Sequence, residues 1–290
     1  MSSIYISVTA YNPLSRIETL LEVLKGYETL DLDKEIDITI DHEHAYDLDE
    51  FSLIVAGNTN LRRVSFTVAS PEYVGYSLCW AHKPSLAYQI VNKKHDYYMY
   101  SENDILFTKK QFDYWIEYKD VLKEENLEPG FCRVEKVKDK FIPFDNYRRW
   151  NLSGVTPDVW GPIGYNCGFK FRPAESGVIG FTTLGNPYGG FMIMDQEDSE
   201  DYIRSDSSHP VKSHAKIGLR NWPIADRSSM GLAFEKLLPG QEHRRAIPLI
   251  NENGKIKIPE CALVQHLDNK YSSALLKNSP MIDTDTMFTY

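Results

Sequence analysis

Asp96-Tyr97-Tyr98-Met99-Tyr100-Ser101-Glu102-Asn103-Asp104-Ile105-Leu106-Phe107 sets an aromatic, strand-like run against two acids that flank an amide, and a second apolar triplet follows directly. A carboxylate at the end of a buried strand is costly unless a cation or a donor compensates it, so Glu102 and Asp104 point to a hard-metal site. The same residues also fit an exposed turn between two strands, and the surrounding chain has to decide. Upstream, Gly75 to Pro84 leads into Leu86, Ala87, Ile90 and Val91 at helical spacing, with Pro84 in a first turn or at a kink. Downstream, Thr108 and Gln111 form a capping-box pattern that opens an amphipathic helix through Phe112, Trp115 and Ile116. The acidic turn is thus bracketed by a strand and a helix.

The N-terminal third supplies the context. Ile4, Ile6 and Val8 alternate with Tyr5, Ser7 and Thr9 as in a strand, then Asn12 stands as an N-cap with Pro13 at the first helical position. Ile17, Leu20, Leu21 and Leu24 recur at helical spacing, and the helix closes near Gly26. Ile36, Ile38 and Ile40 alternate in a second strand ending at Asp41-His42-Glu43, and Val64, Phe66 and Val68 make a third. A β-α-β opening with further strands predicts an α/β domain on a largely parallel sheet, whose ligands gather outside the carboxyl ends of the strands. Tyr11, Asn12, Asp41 and Glu43 fall at such ends.

Length and charge set the bounds. The 290 residues, 42% hydrophobic and 25% charged, suffice for a full core. A net charge of −9 and a pI near 5.4 argue against a general nucleic-acid binder, which needs clustered Lys and Arg. No apolar run is long enough for a membrane span, and Met1-Ser2-Ser3-Ile4 does not open a signal peptide, so a cytoplasmic protein, at most peripheral to a membrane, is expected. Cys79, Cys132, Cys167 and Cys261 form no CxxC pair and read as reduced thiols.

Between Gly154 and Gly190 lie nine of the 17 glycines together with Pro157, Pro162, Pro173 and Pro187, which predicts a loop-rich region forming a pocket wall or a link between halves of the fold. Gly189-Gly190 offers close backbone access ahead of Phe191 to Asp195. The acids Asp195, Glu197, Asp198, Glu200 and Asp201 fit a solvated helix start. Trp222 to Gly231 reads as a loop entering a helix, and Ala262-Leu263-Val264-Gln265 puts a strand directly before His266.

Together these stretches resemble the GT-A class of metal-dependent glycosyltransferases, over roughly residues 4 to 272. The resemblance implies a Rossmann-like, mostly parallel central sheet flanked by helices. It also implies a nucleotide-sugar part over residues 1–150, an acceptor and catalytic part over 151–272 and a tail over 273–290. In that class the first strand, here with Thr9, Tyr11 and Asn12, begins the nucleotide site, and an acid after the second, here Asp41 or Glu43, holds base or ribose. The Asp-x-Asp metal motif of the class is matched by Glu102-Asn103-Asp104, with Glu for the first Asp. His266 resembles the late histidine that completes the metal or diphosphate site, although a lone histidine is more often structural. His82-Lys83 stands where a basic pair would face phosphate, or forms a plain turn.

The implied chemistry uses Mn2+ or Mg2+ to neutralise a nucleoside diphosphate leaving group. If the reaction inverts, slightly the favoured case, a carboxylate must take the acceptor proton. Asp226 fits best, with Asp195 or Glu197 as rivals, and each also fits a plain N-cap. Trp160, Tyr188 and Trp222, with Gly189 and Gly190, are placed to meet an acceptor sugar, though aromatics are more often core. The expected donor is a nucleotide sugar, UDP-linked by preference, and the acceptor a glycan or glycolipid of surface polysaccharide synthesis. Two other readings stay open on the same fold. One is a sugar-nucleotide nucleotidyltransferase, whose Gly-rich basic loop Thr9-Ala10-Tyr11-Asn12-Pro13 lacks; the other is a non-catalytic carbohydrate-binding protein.

Overall fold

The structure, a computed structural model, describes residues 2–45, 48–143, 177–182, 190–216, 231–239, 241 and 243–270. The chain forms two compact units, each of two stretches of sequence: Met1–Lys109 with Gly190–Leu237, and Lys110–Gly189 with Leu238–Tyr290. In chain order, the first unit holds Ser3–Ala10 (β1), Ile17–Glu28 (α1), Asp33–Ile40 (β2), Leu48–Asn58 (α2) and Val64–Val68 (β3). His82–Asn92 (α3), Tyr97–Glu102 (β4) and Ile105–Leu106 (β5) follow. At the boundary begins Lys109–Lys123 (α4), and the second unit continues through Glu128–Pro129 (β6), Cys132–Val137 (β7), Lys140–Pro143 (β8) and Val178–Thr182 (β9). The chain returns to the first unit with Phe191–Asp195 (β10), Gln196–Arg204 (α5) and Pro210–Ala215 (α6). Arg245–Glu252 (β11), Lys255–Lys257 (β12) and Leu263–His266 (β13) complete the second.

In the first unit the sheet runs β10-β4-β1-β2-β3. β4, β1, β2 and β3 are parallel, and β10 lies antiparallel on the β4 edge. The expected α/β class, a mostly parallel Rossmann-like sheet with helices, is therefore present. The chain builds outward from β1 to β2 to β3, then returns to add β4 on the other side of β1. That reversal makes a crevice outside the carboxyl ends of β1 and β4, the place where open α/β sheets take ligands.

The alternation in β2 predicts one buried face, yet Asp37 and Thr39 are buried along with Ile36, Ile38 and Ile40. Parallel strands are covered on both faces, so the polar residues are enclosed too. α1 buries Leu20, Val23, Leu24 and Tyr27 at helical spacing and runs past Gly26 to Glu28. Gly26 is there because of space: a Cβ would stand 2.7 Å from the Phe107 carbonyl oxygen. Around α3, Tyr5, Trp80, Leu86, Ile90, Tyr98, Tyr100, Met194 and Tyr202 share one core.

In the second unit α4 buries Phe112, Tyr114, Trp115, Tyr118 and Leu122. The capping box expected of Thr108 and Gln111 is not completed by Gln111, whose buried side-chain amide donates to the Leu263 carbonyl at 2.9 Å. β11 pairs with β12 and β9 antiparallel and with β6 parallel. β7 pairs with β13 parallel and with β8 antiparallel. No helix among the described residues is long and apolar enough to cross a membrane.

Candidate active site

At the switch point the Glu102-Asn103-Asp104 turn is tied to both neighbouring strands. The Asn103 N–H donates to the Thr9 carbonyl at 3.1 Å and the Glu102 N–H to the Gly190 carbonyl at 3.0 Å. Asp104 is 4% exposed and Asn103 is buried, whereas Glu102 is half-buried. An exposed turn would have left Asp104 in water. The Arg16 guanidinium stands 4.0 Å from the Asp104 carboxylate and supplies part of its counter-charge. Arg16 ends the short turn Pro13–Arg16, and nothing in its local spacing marks it out in the sequence.

Gly190 is fixed by two constraints. Its φ of +72° lies in the left-handed region, and a Cβ there would stand 2.5 Å from Ile105 Cγ1 and 3.5 Å from Glu102 Oε2. The backbone of Gly190 therefore passes directly against the acidic turn, as close access requires.

The exits of β1 and β2 are locked to each other. Asp41 is 3% exposed. Its Oδ2 accepts the Asn12 N–H at 2.7 Å, and its Oδ1 meets His44 Nδ1 at 2.6 Å. Asn12 does not cap with its side chain as expected. It takes φ 42° and ψ 58°, the left-handed conformation asparagine tolerates, and so delivers its N–H to Asp41. Tyr11 is exposed and its ring meets His44 edge-on at 5.2 Å. Asp41, the exposed Glu43 and His44 have ligand atoms within 4.8 Å of one another.

Behind this edge Thr9 Oγ1 and the Tyr100 hydroxyl are 3.0 Å apart, and the His82 ring stacks on Tyr100 at 3.7 Å. Burial, then the charge of Glu102, holds the Tyr100 phenol well above its ordinary pKa, so it stays protonated. His82 and Lys83 are both completely buried, which corrects their reading as groups facing phosphate. His82 supports Tyr100 from below. Lys83 Nζ donates to the Ser207 carbonyl at 2.6 Å and to the Tyr202 hydroxyl at 3.3 Å.

Asp195 and Glu197 lie where β10 passes into α5. Asp195 caps α5, its Oδ1 accepting the Asp198 N–H at 2.9 Å, and in the antiparallel pairing it lies opposite Tyr97 while Phe191 lies opposite Ser101. Asp195 thus lies at the opposite end of β4 from Glu102, about 16 Å away along the strand, and Glu197 follows it in the first turn of α5. Asp226, Trp160, Tyr188, Gly189 and Trp222 lie outside the described residues.

In the second unit His266 ends β13 and is 1% exposed, and its Nδ1 meets Oε1 of the fully buried Glu135 on β7 at 2.7 Å. An ionised carboxylate only accepts, so the shared proton rests on Nδ1 and the Nε2 lone pair is the one available for coordination. Asp268, two residues on, has a carboxylate oxygen within 4.8 Å of a His266 ring nitrogen. Neither Glu135 nor Asp268 was among the residues the sequence singled out. Glu135 sits in a short alternating strand with no signal of its own.

No protein-family model matches the chain, and a search of curated proteins finds no match. Among solved structures, S. aureus TarS 1-349 is similar at 12% identity and a TM-score of 0.35, over 69% of this chain and 48% of that one. TarS 1-349 in complex with UDP-GlcNAc is similar at 15% and 0.29, over 51% and 38%. A 4-diphosphocytidyl-2C-methyl-D-erythritol synthase is similar at 12% and 0.38, over 77% and 83%. The chain thus spans half or less of the TarS structures. At these TM-scores the likeness carries no argument about activity, and the fold class stands on the strand order.

Proposed function

We propose that this chain is a metal-dependent glycosyltransferase that moves a hexose from a nucleoside-diphosphate sugar, UDP-linked by preference, to a glycan or glycolipid acceptor. The observation that carries the reading is the buried Asp104 in an acidic turn at the switch point between β1 and β4. A buried carboxylate at a strand-end crevice is costly unless charge or donors compensate it, and the partly exposed Arg16 at 4.0 Å is a partial compensation that a metal ion would complete.

In the first unit Glu102 and Asp104 supply carboxylate oxygens that suit a hard divalent ion, and in the second His266, its tautomer set by Glu135, offers a ring nitrogen. When bound, Mn2+ or Mg2+ would neutralise charge developing on the diphosphate. The chain's own residues do the positioning. Asp41 holds the Asn12 backbone, which fixes the loop after β1 where a nucleoside would lie. The Gly190 backbone packs directly against the acidic turn and holds Glu102 in place. Asp226 is proposed as the base for the acceptor hydroxyl in an inverting reaction.

The test is calorimetric titration of nucleoside diphosphates and nucleotide sugars, with Mn2+ and with chelator, on wild type and Asp104→Ala. Metal-dependent binding of one nucleotide, lost in the variant, supports the reading. No nucleotide bound by either protein ends it. Transfer or hydrolysis of the donor sugar then separates an enzyme from a binding protein, and near-normal turnover in Asp226→Asn would remove that residue from catalysis.

A further inference from the structure

Alternate positions of β1, β2 and β3 place Tyr5, Asp37, Ser65 and Thr67 on one face of the first unit's sheet. This face carries a cavity of about 420 Å3 lined in part by Tyr5, Asp37, Ser65, Ser85, Tyr88 and Gln89. Asp37 precedes Asp41 by four residues on β2, about 13 Å along the strand, so the cavity is separate from the strand-end crevice.

Asp37 is 6% exposed. Its Oδ1 accepts the Thr67 hydroxyl at 2.5 Å and the Ser65 hydroxyl at 3.2 Å, and its Oδ2 the Tyr5 hydroxyl at 3.4 Å. Burial and the Asp37 charge push the Tyr5 phenol far above its ordinary pKa, so it remains a donor. Among the described residues no Lys, Arg or His nitrogen lies within ion-pair distance of Asp37. Neutral donors soften a buried carboxylate but leave its charge uncompensated. A second group on the same wall is also left waiting. Gln89 donates its Nε2 to Glu35 at 3.0 Å, and its Oε1 is buried without a hydrogen-bond partner among the described residues. Tyr88 adds an exposed ring at the cavity's rim.

A buried carboxylate, an unfilled amide oxygen, hydroxyl oxygens and an aromatic wall describe the complement of a primary ammonium group. Its three N–H donors would take Asp37, Gln89 Oε1 and a serine hydroxyl, while its charge and alkyl stem face the tyrosines. We propose that this cavity is a second ligand site of the protein, taking a small molecule through its primary ammonium group.

The test is titration of the full chain with n-butylammonium at constant ionic strength, read by amide chemical shifts and calorimetry, against 1-butanol as the neutral control. Saturable binding that shifts Ser65, Tyr88 and Gln89, absent for 1-butanol and weakened at least about tenfold in Asp37→Asn, is the expected result. Failure of butylammonium to saturate, or equal affinity in wild type and Asp37→Asn, overturns the site. Should Asp37→Asn fail to fold, Tyr88→Ala and Gln89→Leu decide: weaker binding in both is expected, and unchanged affinity in both overturns the proposal. Asp104→Ala is expected to keep butylammonium binding, so loss of the nucleotide site and loss of this one are read separately.

Discussion

Nδ1 of His266 and Oε1 of Glu135 meet at 2.7 Å with both side chains almost completely out of solvent. Such a pair is costly to bury and costly to break, because removing the charge from one partner leaves the other unsatisfied. Its use is orientation: the carboxylate fixes one tautomer and one ring direction. Glu135→Gln keeps the shape and releases the tautomer. Stability is expected to fall by about 1–3 kcal/mol, and affinity for Mn2+ by about 10–100-fold if His266 is a ligand. Urea denaturation and metal calorimetry on the same variant separate the two effects. A stability loss with unchanged Mn2+ affinity would make the pair purely structural.

Gly190→Ala tests how tightly the acidic turn is held. The added Cβ would enter at 2.5 Å from Ile105 in a backbone at φ +72°. Overpacking of this kind costs about 1–3 kcal/mol, and the left-handed conformation adds about 1–2 kcal/mol. Ile105→Ala removes the clash at the expense of burial, so the double variant is expected to lose less than the sum of the single losses in a denaturant series. Strict additivity would mean the turn yields freely.

The parts of this fold that were legible in the sequence are those where local pattern and tertiary environment agree. β1, β2 and β4 are strands by composition and by burial, and Glu102-Asn103-Asp104 stands out because acids rarely end an aromatic run. What was not legible depended on partners distant in the chain. Asn12 has the composition of a cap, but Asp41 takes its backbone N–H instead. Gln111 fits a capping box until the Leu263 carbonyl claims its amide. Asp195 reads as a rival base or as a cap, and only the antiparallel register of β10 places it at the opposite end of β4 from Glu102. Polar β2 positions look solvent-facing in an alternating pattern, and only the cover on both faces buries Asp37.

Acid is expected to destabilise the first unit through His82. Burial, and then the neighbouring Lys83 charge, hold this imidazole well below its ordinary pKa in the folded protein. The unfolded chain therefore binds a proton near pH 6.5 that the folded chain refuses, and stability is lost as pH falls from there. His82→Phe keeps a ring against Tyr100 and removes the titration. The slope of unfolding free energy between pH 6.5 and 5, measured in urea, is expected to flatten in this variant. An unchanged slope would assign the acid loss to other groups.

Lys83 acts in the opposite pH range and gives a sharper test. Burial lowers its ammonium pKa from the ordinary 10.5 to about 7, with Ser207 and Tyr202 offering oxygens but no carboxylate. Between those two values the unfolded chain holds a proton that the folded chain has lost. Stability from this group is therefore complete above about pH 10.5 and declines as pH falls towards 7. Lys83→Met fills similar volume, cannot titrate, and leaves the Ser207 carbonyl without its donor, a loss of about 1 kcal/mol. The two curves should cross. Near pH 7 the variant is expected to be the more stable protein, because wild type carries the cost of a buried cation. Above about pH 11 wild type is expected to lead by about the value of the lost hydrogen bonding. Unfolding in urea at about pH 7, 9 and 11 checks the crossing. A variant less stable by the same amount at every pH would mean that Lys83 is accommodated without a shift, its charge offset by the oxygens around it.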